Sequence, residues 1–118
     1  MRSINSQILT GVDASVSGVS AAIAASQIFY ISVQAVMTGT SSGTLKLQFS
    51  NDPCEGQQPT ASPTNWIDIP SATVTLTGTA GAFGIAKTDL SYRFIRAVYT
   101  KNNGSAGTIT VTINGMGQ

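Results

Sequence analysis

The 118-residue chain has the length of one domain, and only 9% of its residues are charged, for a formal net charge of +1. With no histidine and a single cysteine, it has no Ser-His-Asp or Cys-His pair, no ordinary zinc, haem or iron–sulfur site and no internal disulfide. Six basic residues against five acidic ones give no electrostatic footprint for nucleic acid, and no apolar run is long enough to span a membrane as a helix.

The first 27 residues are open to two interpretations. Asp13–Ala25 is rich in alanine, and Asp13 is a suitable cap for a helix. The apolar side chains of this stretch keep helical spacing: Val12, Val16, Val19 and Ile23. Gly18, the serines and the β-branched residues favour short strands broken near Gly18 instead. We expect residues 1–27 to form an N-terminal arm or edge strands, and residues 28–118 to form the main domain.

Alternation of apolar and polar side chains predicts antiparallel strands along the rest of the chain. The predicted strands are Phe29–Met37, Thr44–Ser50, Thr73–Thr77, Tyr92–Lys101 and Gly107–Asn114. Their inward-facing positions give a predicted core of Phe29, Ile31, Val33, Leu45, Leu47, Phe49, Val74, Leu76, Ile109, Val111 and Ile113. Serine and threonine occupy most of the opposite faces, as expected of half-buried strands.

Turn-forming residues separate these strands. Thr38–Gly43 is predicted to join two strands as a hairpin. Asn102–Gly107 is predicted to turn the chain through positive φ angles at Asn103-Gly104. The stretch Cys54–Asn65 contains two prolines and a glycine without periodicity, and this composition predicts a long loop.

The pattern as a whole predicts an all-β fold. Roughly eight short strands separated by turn signals are typical of an antiparallel β-sandwich. A jelly roll is the favoured topology, and an immunoglobulin-like Greek key is the alternative.

The carboxylates favour turn capping over chemistry. Asp52 and Glu55 are close in sequence but lie at a turn and in a loop, which disfavours the paired carboxylates of a glycosidase. Together with Asn51 they offer oxygen ligands for calcium, although the dense alternation of Asp and Asn in calcium loops is missing. We predict that the chain is not an enzyme and has neither a cofactor nor a metal.

Aromatic and basic side chains form the candidate interface: Tyr30, Trp66, Tyr92, Arg93, Arg96 and Tyr99. Strand alternation places Arg93 and Arg96 on opposite faces, which weakens a nucleic-acid groove. An arginine in an aromatic strand favours a salt bridge to Asp68, to Asp89 or to a partner subunit. Trp66 is predicted to cap the end of the core, with a sugar-stacking platform as the alternative.

Five segments resemble a pattern in small structural proteins of tailed bacteriophages: Ser32–Thr40, Gly43–Asp52, Pro63–Ile69, Tyr92–Thr100 and Gly104–Thr112. The resemblance covers residues 28–117 and implies a virion β-sandwich with no catalytic residues to carry over. Within a virion, the near-neutral, hydroxyl-rich and histidine-free composition favours a capsid decoration (cement) protein that bridges coat subunits. The alternatives are a tail, collar or fibre module, or a carbohydrate-binding β-sandwich.

This interpretation also implies partners and a location. We expect binding to the major capsid protein or another virion protein, and no binding to nucleic acid or membranes. Few charges, and apolar residues on both faces of two strands, predict a homo-oligomer, with a trimer favoured because it suits local threefold positions on icosahedral shells. The N-terminal 27 residues are expected to help make the contact. Met1–Gln7 has no apolar signal core, so we expect synthesis in a host cytoplasm and residence in the virion.

Overall fold

A computed structural model describes residues 3–52, 63–77, 82–88, 90–104 and 106–117. Within these ranges the chain forms nine strands and no helix, so none of them supplies a helix that would cross a membrane. The strands are β1 (Ser3–Asp13), β2 (Gly18–Val19), β3 (Ile23–Ala24), β4 (Tyr30–Met37), β5 (Ser42–Ser50), β6 (Ile67–Thr77), β7 (Ala82–Lys87), β8 (Phe94–Asn103) and β9 (Thr108–Met116). The all-β prediction is confirmed.

The strands form two antiparallel sheets. Sheet A has the order β1-β9-β4-β7, and sheet B has the order β2-β8-β5-β6, with β3 also paired to β8. If β2 and β3 are counted as one interrupted strand, the strands form four antiparallel pairs. Sheet A contains the pairs β1 with β9 and β4 with β7, and sheet B contains the pairs β2–β3 with β8 and β5 with β6. This connectivity is that of a jelly roll, not of the immunoglobulin-like alternative.

The core lies between the sheets and follows the predicted alternation. Along β4, for example, every second residue from Ile31 to Met37 is buried and the residues between are exposed. Of the predicted core, Phe49 and Val74 are partly buried and pack against the core cluster, and Phe29 alone lies apart from it, because it precedes β4 at the end of the sandwich. The core also contains residues without a clear alternating pattern in the sequence: Ala14, Ala25, Ile28, Ile69, Ala72 and Leu90.

The hairpin predicted at Thr38–Gly43 is wrong. β4 lies in sheet A and β5 in sheet B, so this segment crosses between the sheets, as does the segment between β8 and β9. The two crossovers lie side by side, and the N–H groups of Thr40 and Ser41 both donate to the Ala106 carbonyl at 3.1 Å. A Cβ on Gly104 or Gly107, both with positive φ, would overlap the backbone of the opposite crossover. These glycines thus allow the two crossovers to pack closely against each other.

Residues 3–25 are edge strands of both sheets. β1 pairs with β9 along its whole length, and β2 and β3 pair with β8. The helix considered for Asp13–Ala25 is wrong, because Asp13 turns the chain instead of capping a helix. Its carboxylate accepts hydrogen bonds from the Ser15 N–H at 2.9 Å and the Ser15 hydroxyl at 2.6 Å. The chain therefore passes from sheet A to sheet B just before Gly18, close to the break that the sequence predicts.

Candidate functional site

The six candidate interface residues separate into four places in the fold. Tyr99 is in the core, and Tyr30 lies on the outer face of sheet A. Trp66 and Arg96 contact each other outside sheet B. Tyr92 and Arg93 lie at one end of the sandwich, beside an open cavity. The residues therefore do not form one continuous surface.

Tyr99 is a core residue with 1% of its surface exposed. Its hydroxyl donates a 2.7 Å hydrogen bond to the carbonyl oxygen of the fully buried Ala14. Burial raises the pKa of the phenol above its usual value, and the nearby Asp13 carboxylate adds to the shift. Tyr99 thus stabilises the crossover between β1 and β2 and is not available at the surface of this chain.

The outer face of sheet B carries a chain of polar contacts. Strand register places Gln48 of β5 between Arg96 of β8 and Asp68 of β6. The Arg96 Nε donates to the Gln48 side-chain oxygen at 2.9 Å, and the Gln48 amide nitrogen donates to Asp68 at 2.8 Å. Lys46 forms an ion pair with Asp68 at 3.2 Å. The hydrogen bond from Gln48 and the Lys46 ammonium hold the pKa of Asp68 below its usual range.

Trp66 belongs to the same surface. The Arg96 guanidinium carbon lies 4.3 Å from the indole centroid, and the indole N–H donates to the Pro63 carbonyl at 3.2 Å. Of the salt-bridge partners proposed for the arginines, Asp68 is separated from Arg96 by Gln48, and Asp89 lies outside the described residues. Trp66 lies outside the core cluster and does not cap it as predicted. Because the guanidinium covers one indole face, that face is not available as a sugar platform.

The outer face of sheet A differs sharply from that of sheet B in charge. Register across β1, β9, β4 and β7 aligns four rows of outward side chains, and none of these is charged. We call them the uncharged face: Ser3, Asn5, Gln7, Tyr30, Ser32, Gln34, Val36, Ala82, Gly84, Ala86, Thr110, Thr112, Asn114 and Met116. Asp13, opposite Thr108 at the end of β1, lies beyond these rows. Tyr30 therefore sits at one margin of a sheet face rich in amides and hydroxyls.

An open cavity of about 900 Å³ occupies one end of the sandwich. We call it the end cavity, and its lining comes from four segments: Ser26, Gln27, Ile28, Phe29, Asn51, Leu90, Ser91, Tyr92, Arg93 and Gly117. The Tyr92 ring stacks on Phe49 with centroids 4.0 Å apart. The Asn51 side-chain oxygen accepts a 3.1 Å hydrogen bond from the Arg93 N–H. The end cavity therefore has a stacked aromatic pair at its wall and an arginine, held at its backbone N–H, in its lining.

Asp52, which follows the cavity-lining residue Asn51, binds the chain at Thr64 and Asn65. Its carboxylate accepts hydrogen bonds from the N–H groups of Thr64 at 2.7 Å and Asn65 at 3.0 Å, and from the Asn65 side chain at 2.9 Å. These bonds, led by that from the Asn65 side chain, lower the pKa of Asp52 to about 2. Asp52 thus bonds residues twelve and thirteen positions further along the chain, whereas the local turn that it was predicted to cap runs into residues outside the described ranges.

The remaining loop residues of the sequence analysis lie outside the described residues. These are Cys54 and Glu55, so neither the carboxylate pair nor the complete set of calcium ligands is placed. Within the described ranges, no three acidic or cysteine side chains gather as a metal site requires. Neither a scan of protein-family models nor a search of curated proteins returned a match for this chain.

Proposed function

We propose that the chain is a non-enzymatic structural protein of a virion, and that it acts as a capsid decoration protein bridging coat subunits. The observation that carries the proposal is the uncharged face of sheet A, which spans four strands. A surface of this size in a freely diffusing domain ordinarily includes charged side chains of both signs. The resemblance to phage structural proteins supports the same interpretation.

The chemistry of the uncharged face suits burial against another protein. Interface cores are depleted of charged residues, because removing a charge from water is costly unless it is paired. Amides and hydroxyls are less costly to desolvate and can form new hydrogen bonds with a partner. Within this face, the Asn5 amide already donates to the Asn114 side-chain oxygen of the neighbouring strand at 3.2 Å. The small residues Ala82, Gly84 and Ala86 let a partner approach this part of the sheet closely.

The edge of sheet A adds a second means of attachment. β1 is eleven residues long, and its only charged residue is Asp13 at its end. A long edge strand without lysine or proline invites pairing with a strand of another chain. We therefore expect β1 to lie at a contact, either with the coat protein or with a second copy in a homo-oligomer, for which a trimer remains our proposal.

The proposal is tested by placing a charge on the uncharged face. We expect Gln34→Glu, at the centre of that face, to weaken co-sedimentation with capsid shells assembled from the coat protein of the same virus. Thr75→Glu is the matched control, since Thr75 is equally exposed but lies on the outer face of sheet B. Equal binding of the two variants and the unaltered protein would contradict a contact through sheet A.

Cryo-electron microscopy of the intact particle locates the protein. We expect density for the jelly roll on the capsid surface, between neighbouring coat subunits. Density on the tail, collar or fibre would instead assign the chain to an appendage. Finding no copy in the particle would reject the virion function altogether.

A further inference from the structure

We infer that the end cavity binds a carboxylate-bearing saccharide, an activity separate from attachment to a particle. Its volume of about 900 Å³ lies within the range of roughly 300–1,000 Å³ typical of small-molecule sites. Such sites combine apolar and aromatic walls with a few polar groups that fix the ligand. The lining of the end cavity has this mixed character.

Arg93 supplies the positive charge for the carboxylate. It is the only charged residue in the lining, and among the described residues the single ion pair is the distant Lys46–Asp68 contact. Its backbone is held on both sides, because its N–H donates to Asn51 and its carbonyl accepts from the Ala25 N–H at 2.7 Å. These bonds fix the point from which the exposed Arg93 side chain leaves the lining, and a guanidinium binds a carboxylate through two parallel hydrogen bonds.

The neutral lining favours a saccharide as the rest of the ligand. Gln27, Asn51 and Ser91 offer hydroxyl and amide groups, which both donate to and accept from sugar hydroxyls. Tyr92, held flat against Phe49, offers an aromatic surface for the apolar side of a sugar ring. A peptide would require unpaired backbone along a strand edge, and the lining side chains provide no such ladder.

The turn at Gln27 contributes to the lining of the end cavity. Gln27 has a φ of +67°, a conformation that is uncommon for a residue with a side chain. A tight turn holds it there, since the Ile28 N–H donates to the Ala25 carbonyl at 3.0 Å. This is the positive φ that the third position of such a turn requires, and the turn places Gln27 in the lining of the end cavity.

The test is a nuclear magnetic resonance titration of the full chain with defined probes. The acidic probes are trigalacturonate and sialyllactose, and their neutral counterparts are the methyl ester of trigalacturonate and lactose. A blocked tripeptide with a free C-terminal carboxylate is the peptide probe. We expect at least one acidic saccharide to bind saturably and to shift the backbone amides of Ser91, Tyr92 and Arg93. Its neutral counterpart should bind at least about tenfold more weakly, as expected on losing a charge-assisted contact.

Two variants complete the experiment. Arg93→Gln should weaken binding of the acidic saccharide about tenfold or more, since it removes the carboxylate partner. Lys101→Gln is the matched control, because it removes the same charge further along the same segment of chain, outside the lining, and should bind like the unaltered protein. If Arg93→Gln does not fold, the comparison of trigalacturonate with its ester on the unaltered protein decides the role of the charge.

Four results would overturn the inference. They are failure of both acidic probes to bind at millimolar concentration, equal binding of acid and ester, equal or tighter binding of the peptide probe, and amide shifts confined to the surface around Trp66. None of these results bears on the capsid proposal, which depends on sheet A and is tested with coat protein.

Discussion

The Tyr99 hydroxyl lies 2.7 Å from the carbonyl oxygen of Ala14 and donates a hydrogen bond to it inside the core. Tyr99 comes from β8 in sheet B, and Ala14 follows β1, the edge strand of sheet A. The bond therefore joins the two sheets where the first strand ends. The Ala14 N–H in turn donates to the Gly107 carbonyl at 3.0 Å, so both backbone groups of this buried residue are satisfied.

Tyr99→Phe is expected to destabilise the protein by about 1–3 kcal/mol, because the Ala14 carbonyl loses its donor while remaining buried. Urea denaturation monitored by circular dichroism measures the change in the free energy of unfolding. Tyr30→Phe is the control, because Tyr30 is 40% exposed and its side chain is not part of the core. Equal stabilities of the two variants would show that the Tyr99 hydroxyl contributes nothing.

Gly43→Ala is expected to cost about 1–3 kcal/mol of stability through overpacking. A Cβ at Gly43 would overlap the Thr100 carbonyl oxygen and lie 2.8 Å from the Tyr99 ring, and neither can move without disturbing sheet B. Gly84→Ala is the matched control on β7, because its Cβ would make an ordinary 3.5 Å contact with the Val33 carbonyl. The control should change the unfolding free energy by less than about 0.5 kcal/mol.

The sequence predicted the faces of the strands but not how they divide between the sheets. A period of two fixes which side chains of β4, β5 and β9 point inward, and this depends only on neighbouring residues. The turn at Thr38–Gly43 has the same residue types whether it joins two paired strands or crosses to the other sheet. Gly39, in the segment predicted as a hairpin, is instead required where the two crossovers pack backbone to backbone, because its Cβ would lie 2.5 Å from the Gly107 Cα.

The candidate sites were predicted in part. The mixture of arginine and aromatic residues in Tyr92–Thr100 drew attention to Arg93 and Tyr92, which do line the end cavity. Their partners Asn51, Gln27 and Gly117 carry no local signal, because only the topology brings four separate segments to one end of the sandwich. The uncharged face likewise becomes visible only once the register places β1 beside β9, since its residues come from distant strands.

Arg96→Lys is expected to reduce stability by about 0.5–1 kcal/mol and to shift the tryptophan emission to longer wavelength. Lysine keeps the charge but loses both the Nε–H donated to Gln48 and the flat guanidinium over the indole. Trp66 is the only tryptophan in the chain, so the tryptophan emission of the protein reports the surroundings of this one indole. Arg93→Lys should leave the emission unchanged, and a change of equal size there would contradict the assignment.

The stability of the protein is expected to fall as the pH is lowered toward the pKa of Asp52, which lies at about 2 against an ordinary aspartate value of 3.8. A carboxyl group whose pKa is depressed on folding stabilises the fold above its unfolded pKa and loses that contribution as the pH falls through the folded value. Thermal melts between neutral pH and about pH 2 measure the effect.

Asp52→Asn should be less stable than the unaltered protein at neutral pH, because its amide cannot accept all the bonds from Thr64 and Asn65. Acidification should lower the melting temperature of this variant less than that of the unaltered protein, so the two melting temperatures should converge at low pH. Asp13→Asn is the comparison, since Asp13 bonds only Ser15 and its pKa is also lowered. A pH dependence in Asp52→Asn as steep as that of the unaltered protein would show that other carboxyl groups carry the effect.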